Sequence, residues 1–525
     1  MAREFLPKIH AAARTRTWDN HVNSVALYQL SYGGSLPGSR IGKIGVSFRA
    51  CIDTLSRTCE QRVCMSGEDE LEDDEFDRVA RRVLERVTPD DAERAAMEAA
   101  VERLVERTTE ALAERLVDAD IVQVGSTARG TWLAGDRDID LFVCFSPSLE
   151  RAELRRHGLD IGHEVLPEGR EEYAEHPYVV GEIEGFDVDL VPCYAVDEAT
   201  EIQSAVDRTP FHTRYLRERI TPDLAADIRV CKQFLTGIGV YGSDLRTKGF
   251  SGYLTELLVV EYGGFRPLLE AAADWSPPVT LDPEDHAAAS FRDPLVVIDP
   301  TDPERNVAAV LSTENVARFQ HFARDLLDDP REEVFFPEYG NAVSAADVRT
   351  AFDARGTTPF AISFERPDIV DDQLWPQLDR SREGVADELV RRGFDIFRTA
   401  AFANEERVVL LFELAVAERP RVERHTGPPV QVRAHAERFY DAYEDSDAYG
   451  PFIEDDRYVV ERTREFVSAE EFLSSDALLD VALGTQVESA LREAYELLAG
   501  DELGALATEF GVELAQYLSP DARGW

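Results

Sequence analysis

The sequence predicts a multidomain α+β protein, and three observations carry that prediction. Apolar residues recur at helical spacing in two separate stretches, 76–116 and 224–258. Between them, short apolar runs stand apart in the manner of strands in a small sheet. Beyond residue 359, further apolar runs flank a helical pattern and suggest a second mixed layer. A chain of 525 residues is long enough for roughly three or four domains with cores of their own.

Each element follows from its residues. Phe76, Val79, Val83 and Val87 mark a first helix, and Thr88-Pro89-Asp90-Asp91 restarts a second with an N-cap and a proline at its first position. Met97, Val101, Leu104, Leu112 and Leu116 stripe that second helix. After Asp120 the pattern changes to the runs 121–124, 139–145 and 188–191, which read as strands. Helical spacing returns over 222–262, through Leu224, Ile228, Cys231, Phe234 and Leu235, then Leu254, Leu257 and Leu258. A Pro/Asp-rich stretch at 276–304 reads as a long loop. Further on, 359–364, a helix over 377–392, 394–402 and 408–416 form a β-α-β-β layer of the ferredoxin-like kind. The remainder alternates acidic helices and loops, without internal repeats or low-complexity segments.

Composition narrows the class. Charged residues are 30% and hydrophobic ones 44%, the balance of a soluble globular protein. No window approaches the roughly 18 apolar residues of a membrane span. The net charge of −46 is unevenly spread: residues 1–64 hold nine Lys/Arg and four Asp/Glu, the rest 47 and 98. This step coincides with Met65. Residues 1–64 show no sustained period and lack a signal peptide's apolar core and cleavage site. They read as an extension outside the fold, translated upstream sequence ahead of a start at Met65, with a basic RNA-binding arm as the alternative. The acidic body carries 45 arginines and only Lys232 and Lys248 as lysines, which suits a cytoplasm at very high salt. There the Debye length falls below ~3 Å, so acidity does not exclude a nucleic-acid partner. Cys144, Cys193 and Cys231 lack metal-ligand spacing and fit a reducing cytoplasm.

The chemistry is concentrated in Val124-Gly-Ser-Thr-Ala-Arg-Gly-Thr-Trp-Leu-Ala-Gly-Asp-Arg-Asp-Ile-Asp140. Gly125 lets the backbone approach a phosphate, Ser126 can donate its hydroxyl and cap the following helix, and Arg129 lies one turn in. Asp138 and Asp140 are two apart on a strand and project from one face, where carboxylates can hold Mg²⁺. A second strand, Gly185-Phe-Asp-Val-Asp189-Leu-Val-Pro-Cys-Tyr194, adds a third carboxylate, Asp189 in preference to Asp187 because it lies deeper in the apolar run. Three carboxylates suit a two-metal site with ions about 4 Å apart. Alone, an Asp-x-Asp pair is ordinarily a solvated strand end, and Gly-Ser before a helix only a cap. Their conjunction, in this order and with the second Asp-bearing strand, favours catalysis. Lys232 is either a required point charge or a chance survivor. Unaided, His212 reads as a core histidine and Tyr241 as a packed aromatic at a helix end.

The Gly-Ser…Asp-x-Asp pattern resembles the nucleotidyltransferase superfamily that includes DNA polymerase β. Glu175-His-Pro-Tyr178, Ser204-Ala-Val-Asp-Arg-Thr-Pro-Phe-His212, Gly249-Phe-Ser-Gly-Tyr253, Arg305-Asn-Val-Ala308 and Pro367-Asp-Ile-Val-Asp-Asp372 resemble the archaeal (class I) CCA-adding enzymes. The likeness runs from about Met65 to the C-terminus. It implies Ser126 and Arg129 on the triphosphate, and Asp138, Asp140 and Asp189 on the metals. It further implies His212, Lys232 and Tyr241 on the nucleotide's phosphates and sugar, with Arg305 reading the edge of the base. Asp138 stands where relatives often have Glu, which alters the reach of the first metal ligand.

The resemblance also implies an architecture. Residues 1–64 are the extension, 65–215 a polymerase β-like nucleotidyltransferase head, 216–330 a helical neck for nucleotide recognition, and 331–525 an α+β body and tail that hold tRNA. The expected partners are the acceptor stem and 3′ end of tRNA, CTP and ATP, with Mg²⁺ as cofactor, no membrane, a cytoplasmic location and a homodimer. A poly(A) polymerase or oligoadenylate synthase would share the head. A silent RNA-binding relative or a small-molecule transferase fits less well, given the intact carboxylates and the long chain beyond them.

Overall fold

The computed structural model describes residues 74–173, 175–338 and 341–521. The expected extension 1–64 lies outside the described residues. Two units follow one another along the chain, Met1–Pro337 and Glu338–Trp525.

The first unit opens with α1 (Glu75–Val87) and α2 (Asp91–Arg115). Asp90 and Glu93 close a capping box at the start of α2, which satisfies two backbone donors that a helix end otherwise leaves open. A five-stranded sheet follows. Its elements are β1 (Ala119–Val124), α3 (Gly125–Arg129), β2 (Asp138–Phe145), α4 (Arg151–Val165), β3 (Arg170–Tyr173), β4 (Pro177–Ile183) and β5 (Phe186–Tyr194). The strand order is β1-β2-β5-β4-β3, and only β2 and β5 run parallel. Helices α2 and α4 cover one face, where Leu104, Leu112, Leu154 and Ile161 pack on Ile139, Leu141, Val188 and Leu190.

The sequence reading passed over α4. Its contact with the sheet is made partly by Gly158 and Gly162, where an added Cβ would come within 2.5 Å of Pro192 and 2.4 Å of Val179. Glycines permit the close approach, and they interrupt the apolar period by which a helix is recognised. The edge strand β3 and its neighbour β4 were passed over as well.

A helical part completes the unit: α5 (Thr209–Arg217), α6 (Pro222–Gly237), α7 (Gly252–Tyr262), α8 (Phe265–Ala273) and α9 (Thr313–Asp328). Phe76, Val79 and Val83 of α1 join this core with Phe234, Leu254, Phe265 and Phe319. The stretch 276–304 is not one long loop. It contains β6 (Val279–Leu281), β7 (Leu295–Asp299) and β8 (Asp302–Asn306) in a small sheet of that order. Every residue of β7 is buried, so it lacks polar alternation, and the flanking prolines and aspartates hid it.

The second unit starts with α10 (Ala345–Arg355), β9 (Thr358–Glu365), α11 (Asp371–Arg391), β10 (Asp395–Ala403) and β11 (Arg407–Val416). An insertion follows: β12 (Val422–Pro429), α12 (Arg433–Tyr443), β13 (Tyr449–Glu454) and β14 (Arg457–Thr463). Then come α13 (Ala469–Leu473), α14 (Thr485–Glu493), β15 (Glu496–Ala499) and α15 (Ala507–Leu518). Strands β10-β11-β9-β15 form one antiparallel sheet, the β-α-β-β-α-β arrangement of a ferredoxin-like module. The insertion corrects the expectation of helices and loops alone, since β12, β14 and β13 form a second sheet. Few of their residues are buried, Val459 and Val460 among them, so little alternation is written in the sequence.

Candidate active site

The carboxylates stand where β2 and β5 run side by side. Ile139 and Leu141 are buried beneath α2 and α4, so Asp138 and Asp140, which alternate with them, turn to the opposite face. Parallel pairing sets Asp189 beside Asp140 and Asp187 beside Asp138. All four line a cavity of about 580 Å³ together with Arg170 and Gly181. Asp138, Asp140 and Asp189 are half-buried, whereas Asp187 is exposed. Their charge is felt nearby: burial, then the carboxylates of Asp189, Glu172 and Asp140, push the Tyr178 hydroxyl well above its ordinary range.

The turn from β1 into α3 closes on this face. Gly125 has φ of +76°, and a Cβ there would lie 2.0 Å from Asp140 Oδ2. Only a residue without a side chain brings the turn so near the carboxylate. Ser126, half-buried, sits in the first turn of α3, which ends at Gly130 in the left-handed conformation.

The remaining candidates do not line the carboxylate cavity. Arg129 and Lys232 meet at Glu256 of α7, a fully buried residue that the sequence reading missed. Arg129 Nε donates to Glu256 Oε2 at 2.5 Å, and Lys232 Nζ to Oε1 at 2.8 Å. Thr131 Oγ1 donates to the same Oε1 at 2.5 Å, and Lys232 also reaches the Thr131 carbonyl at 3.2 Å. Burial alone would raise the Glu256 pKa, but the two cations win and hold it at about 2. His212 and Arg305 meet at a second buried carboxylate that was missed, Asp299 at the end of β7. Burial opposes ionisation there too, yet the His212 ring and Thr301 bring the Asp299 pKa below its ordinary value.

These two clusters adjoin. Arg129 Nη1 donates to Thr213, the neighbour of His212, at 3.2 Å, and the His212 ring stacks on Tyr253 with centroids 4.0 Å apart. Tyr253 and Glu256 lie one turn apart on α7. Tyr241 is not at a helix end: it follows α6 by four residues, bridges in parallel to Phe250 and packs on the helical core. A signal for both missed carboxylates was available. Each is a lone acid within or directly after an apolar run, Glu256 in Leu254–Val259 and Asp299 after Leu295–Ile298, and a buried acid requires a partner.

Among the described residues, no three His, Cys, Asp or Glu side chains converge on one metal position. Mg²⁺ does not need such a cage, since one or two carboxylates usually share it with substrate phosphates and water. The all-oxygen donors Asp138, Asp140 and Asp189, adjacent on one face, have the chemistry for that kind of ligation.

Three family models match successive stretches of the chain. The nucleotidyltransferase domain family matches residues 105–212, the second domain of tRNA nucleotidyltransferases 226–336, and the C-terminal domain of CCA-adding enzymes 355–500. The CCA-adding enzyme of Haloarcula marismortui is 60% identical over 462 residues, which cover 85% of this chain and 99% of the relative. That of Halobacterium salinarum is 58% identical over 448 residues, with the same coverage. That of Methanosarcina mazei is 40% identical over 426 residues, 80% of this chain and 93% of the relative. A solved cytoplasmic RNA terminal U-transferase overlays 50% of this chain and 98% of its own, at a TM-score of 0.38 and 15% identity. With such identity over nearly the whole length of the archaeal relatives, the chain belongs to the family of archaeal CCA-adding enzymes, a group of tRNA nucleotidyltransferases.

Proposed function

We propose that this CCA-adding nucleotidyltransferase extends the 3′ end of tRNA with CMP and AMP, from CTP and ATP, at the paired carboxylates of β2 and β5. The observation that carries the proposal is the parallel register of the two strands, with Asp140 beside Asp189 and Asp138 on the same face. The tRNA 3′-hydroxyl attacks the α-phosphorus in line, and pyrophosphate departs from the other side. Mg²⁺ ions held by Asp138, Asp140 and Asp189 would supply the positive charge that such a transfer demands. The protein's own part is placement: Gly125 brings the turn close, and Ser126 offers a hydroxyl to the triphosphate.

Arg129 and Lys232 add positive charge beside the triphosphate, and Glu256 holds both in position before it arrives. His212 and Tyr241 hold phosphate and sugar, and Arg305 reads the base edge without a nucleic-acid template. In this reading, 65–215 is the catalytic head and 216–330 the nucleotide-recognising neck. Residues 331–525 follow the acceptor stem by shape and backbone. We assign the activity to the cytoplasm. Among the described residues no helix is long and apolar enough to cross a membrane.

Single substitutions test the site. Asp140→Ala and Asp189→Ala should each lower CMP transfer by more than about a thousandfold while circular dichroism stays native. Near-normal transfer by either folded variant would remove these carboxylates from the mechanism.

A further inference from the structure

We infer that Asp299 is a positioning residue for nucleotide selection, fixing His212 and Arg305 relative to each other through a single carboxylate oxygen. The inference rests on the reading of His212 and Arg305 as nucleotide contacts. Asp299 is fully buried at the end of β7. Its Oδ1 is held by Thr301, whose backbone N–H donates at 2.9 Å and whose hydroxyl donates at 2.8 Å. Its Oδ2 accepts from His212 Nε2 at 2.8 Å and from Arg305 Nη1 at 2.6 Å. A carboxylate only accepts, so Nε2 carries the proton and the ring orientation is set. Tyr253 fixes the plane of that ring from one side, stacked at 15°. The two heads therefore cannot shift independently.

A fold that merely had to join α5 to β7 could do so at lower cost with apolar side chains. Arg208, directly before α5, already ties that end of the helix to the same hairpin, donating to Asp302 at the start of β8 at 2.9 Å. The carboxylate's distinct effect is the placement of Arg305, the group that must accept cytosine and adenine but not uracil or guanine. Loss of that placement should weaken correct nucleotides more than incorrect ones.

The test is the full-length Asp299→Asn variant, assayed with CTP, ATP, UTP and GTP on tRNAs ending before each added position. The expected result is a roughly ten- to hundredfold fall in kcat/KM for CTP and ATP. KM for the nucleotide should rise with KM for tRNA unchanged, and UTP and GTP should gain relative to the correct substrates. Combined with Arg305→Lys, the loss should be less than the product of the two single losses, because both act through one contact. A fall by one common factor for all four nucleotides, or an unchanged preference, overturns the inference and leaves Asp299 as a structural anchor. Arg305→Lys without effect on efficiency or preference overturns the underlying reading of Arg305 first. Should Asp299→Asn fail to fold, Thr301→Val removes just one of the two donors on Oδ1. It should shift the preference in the same direction by a smaller factor, and an unchanged preference overturns the inference.

Discussion

At the scale of single residues, Gly125 shows how closely backbone and chemistry are joined. Any side chain there would collide with the Asp140 carboxylate and would also be strained at φ of +76°. Gly125→Ala should therefore displace Asp140 and cost about a hundredfold in transfer, the usual price of a misplacement near 1 Å. Thermal unfolding should show a loss of about 1–3 kcal/mol. Steady-state assay beside a melting curve checks both. Residue-scale information was uneven in the sequence. The strand period and a glycine turn sufficed to single out Asp138, Asp140 and Asp189. Glu256 and Asp299 stood out only as lone acids in or after apolar runs, and their pairings were not legible, since Arg129, Lys232 and His212 come from other elements. Arg129, for example, is 127 positions from Glu256, and nothing local to either residue announces the pair.

At the scale of elements, Glu256 joins α3, α6 and α7 through Arg129, Thr131 and Lys232. Its pKa is held at about 2 in the fold against an ordinary 4.5, so the ionised form stabilises the fold above pH 4.5. That contribution, roughly 3 kcal/mol, is lost as pH falls from 4.5 towards 2. Glu256→Gln should be less stable than the parent at pH 7, and the gap should narrow across that window. Denaturant unfolding at a series of pH values measures it, and a gap independent of pH would rule out the ionised pairing. Elements differ in how plainly they are written. The helices α1 and α2 carry helical spacing, and the strands β2 and β5 are apolar runs that alternate where their aspartates stand. By contrast, α4 buries glycines against the sheet, and β7 is buried throughout, so the physical reason for each element is also the reason its pattern is obscured.

At the scale of the whole molecule, the net charge of −46 dominates. Such self-repulsion opposes compact states at low ionic strength and is screened by salt. The thermal midpoint should rise by several degrees between 0.2 and 2 M KCl. A midpoint that stays level or falls would contradict the charge argument. Each unit has its own cores, the helical and sheet cores in the first and the ferredoxin-like sheet's two faces in the second. The α+β class and the ferredoxin-like layer were legible from apolar runs, while the inserted sheet β12-β14-β13 was not, because it buries little.

The most direct test is addition to a tRNA lacking its last three nucleotides, with labelled CTP and ATP, Mg²⁺ and concentrated KCl. Products should stop after C-C-A, and Asp140→Ala should add nothing. An adenylate tail of open length, or full addition by the folded Asp140→Ala variant, would contradict the account.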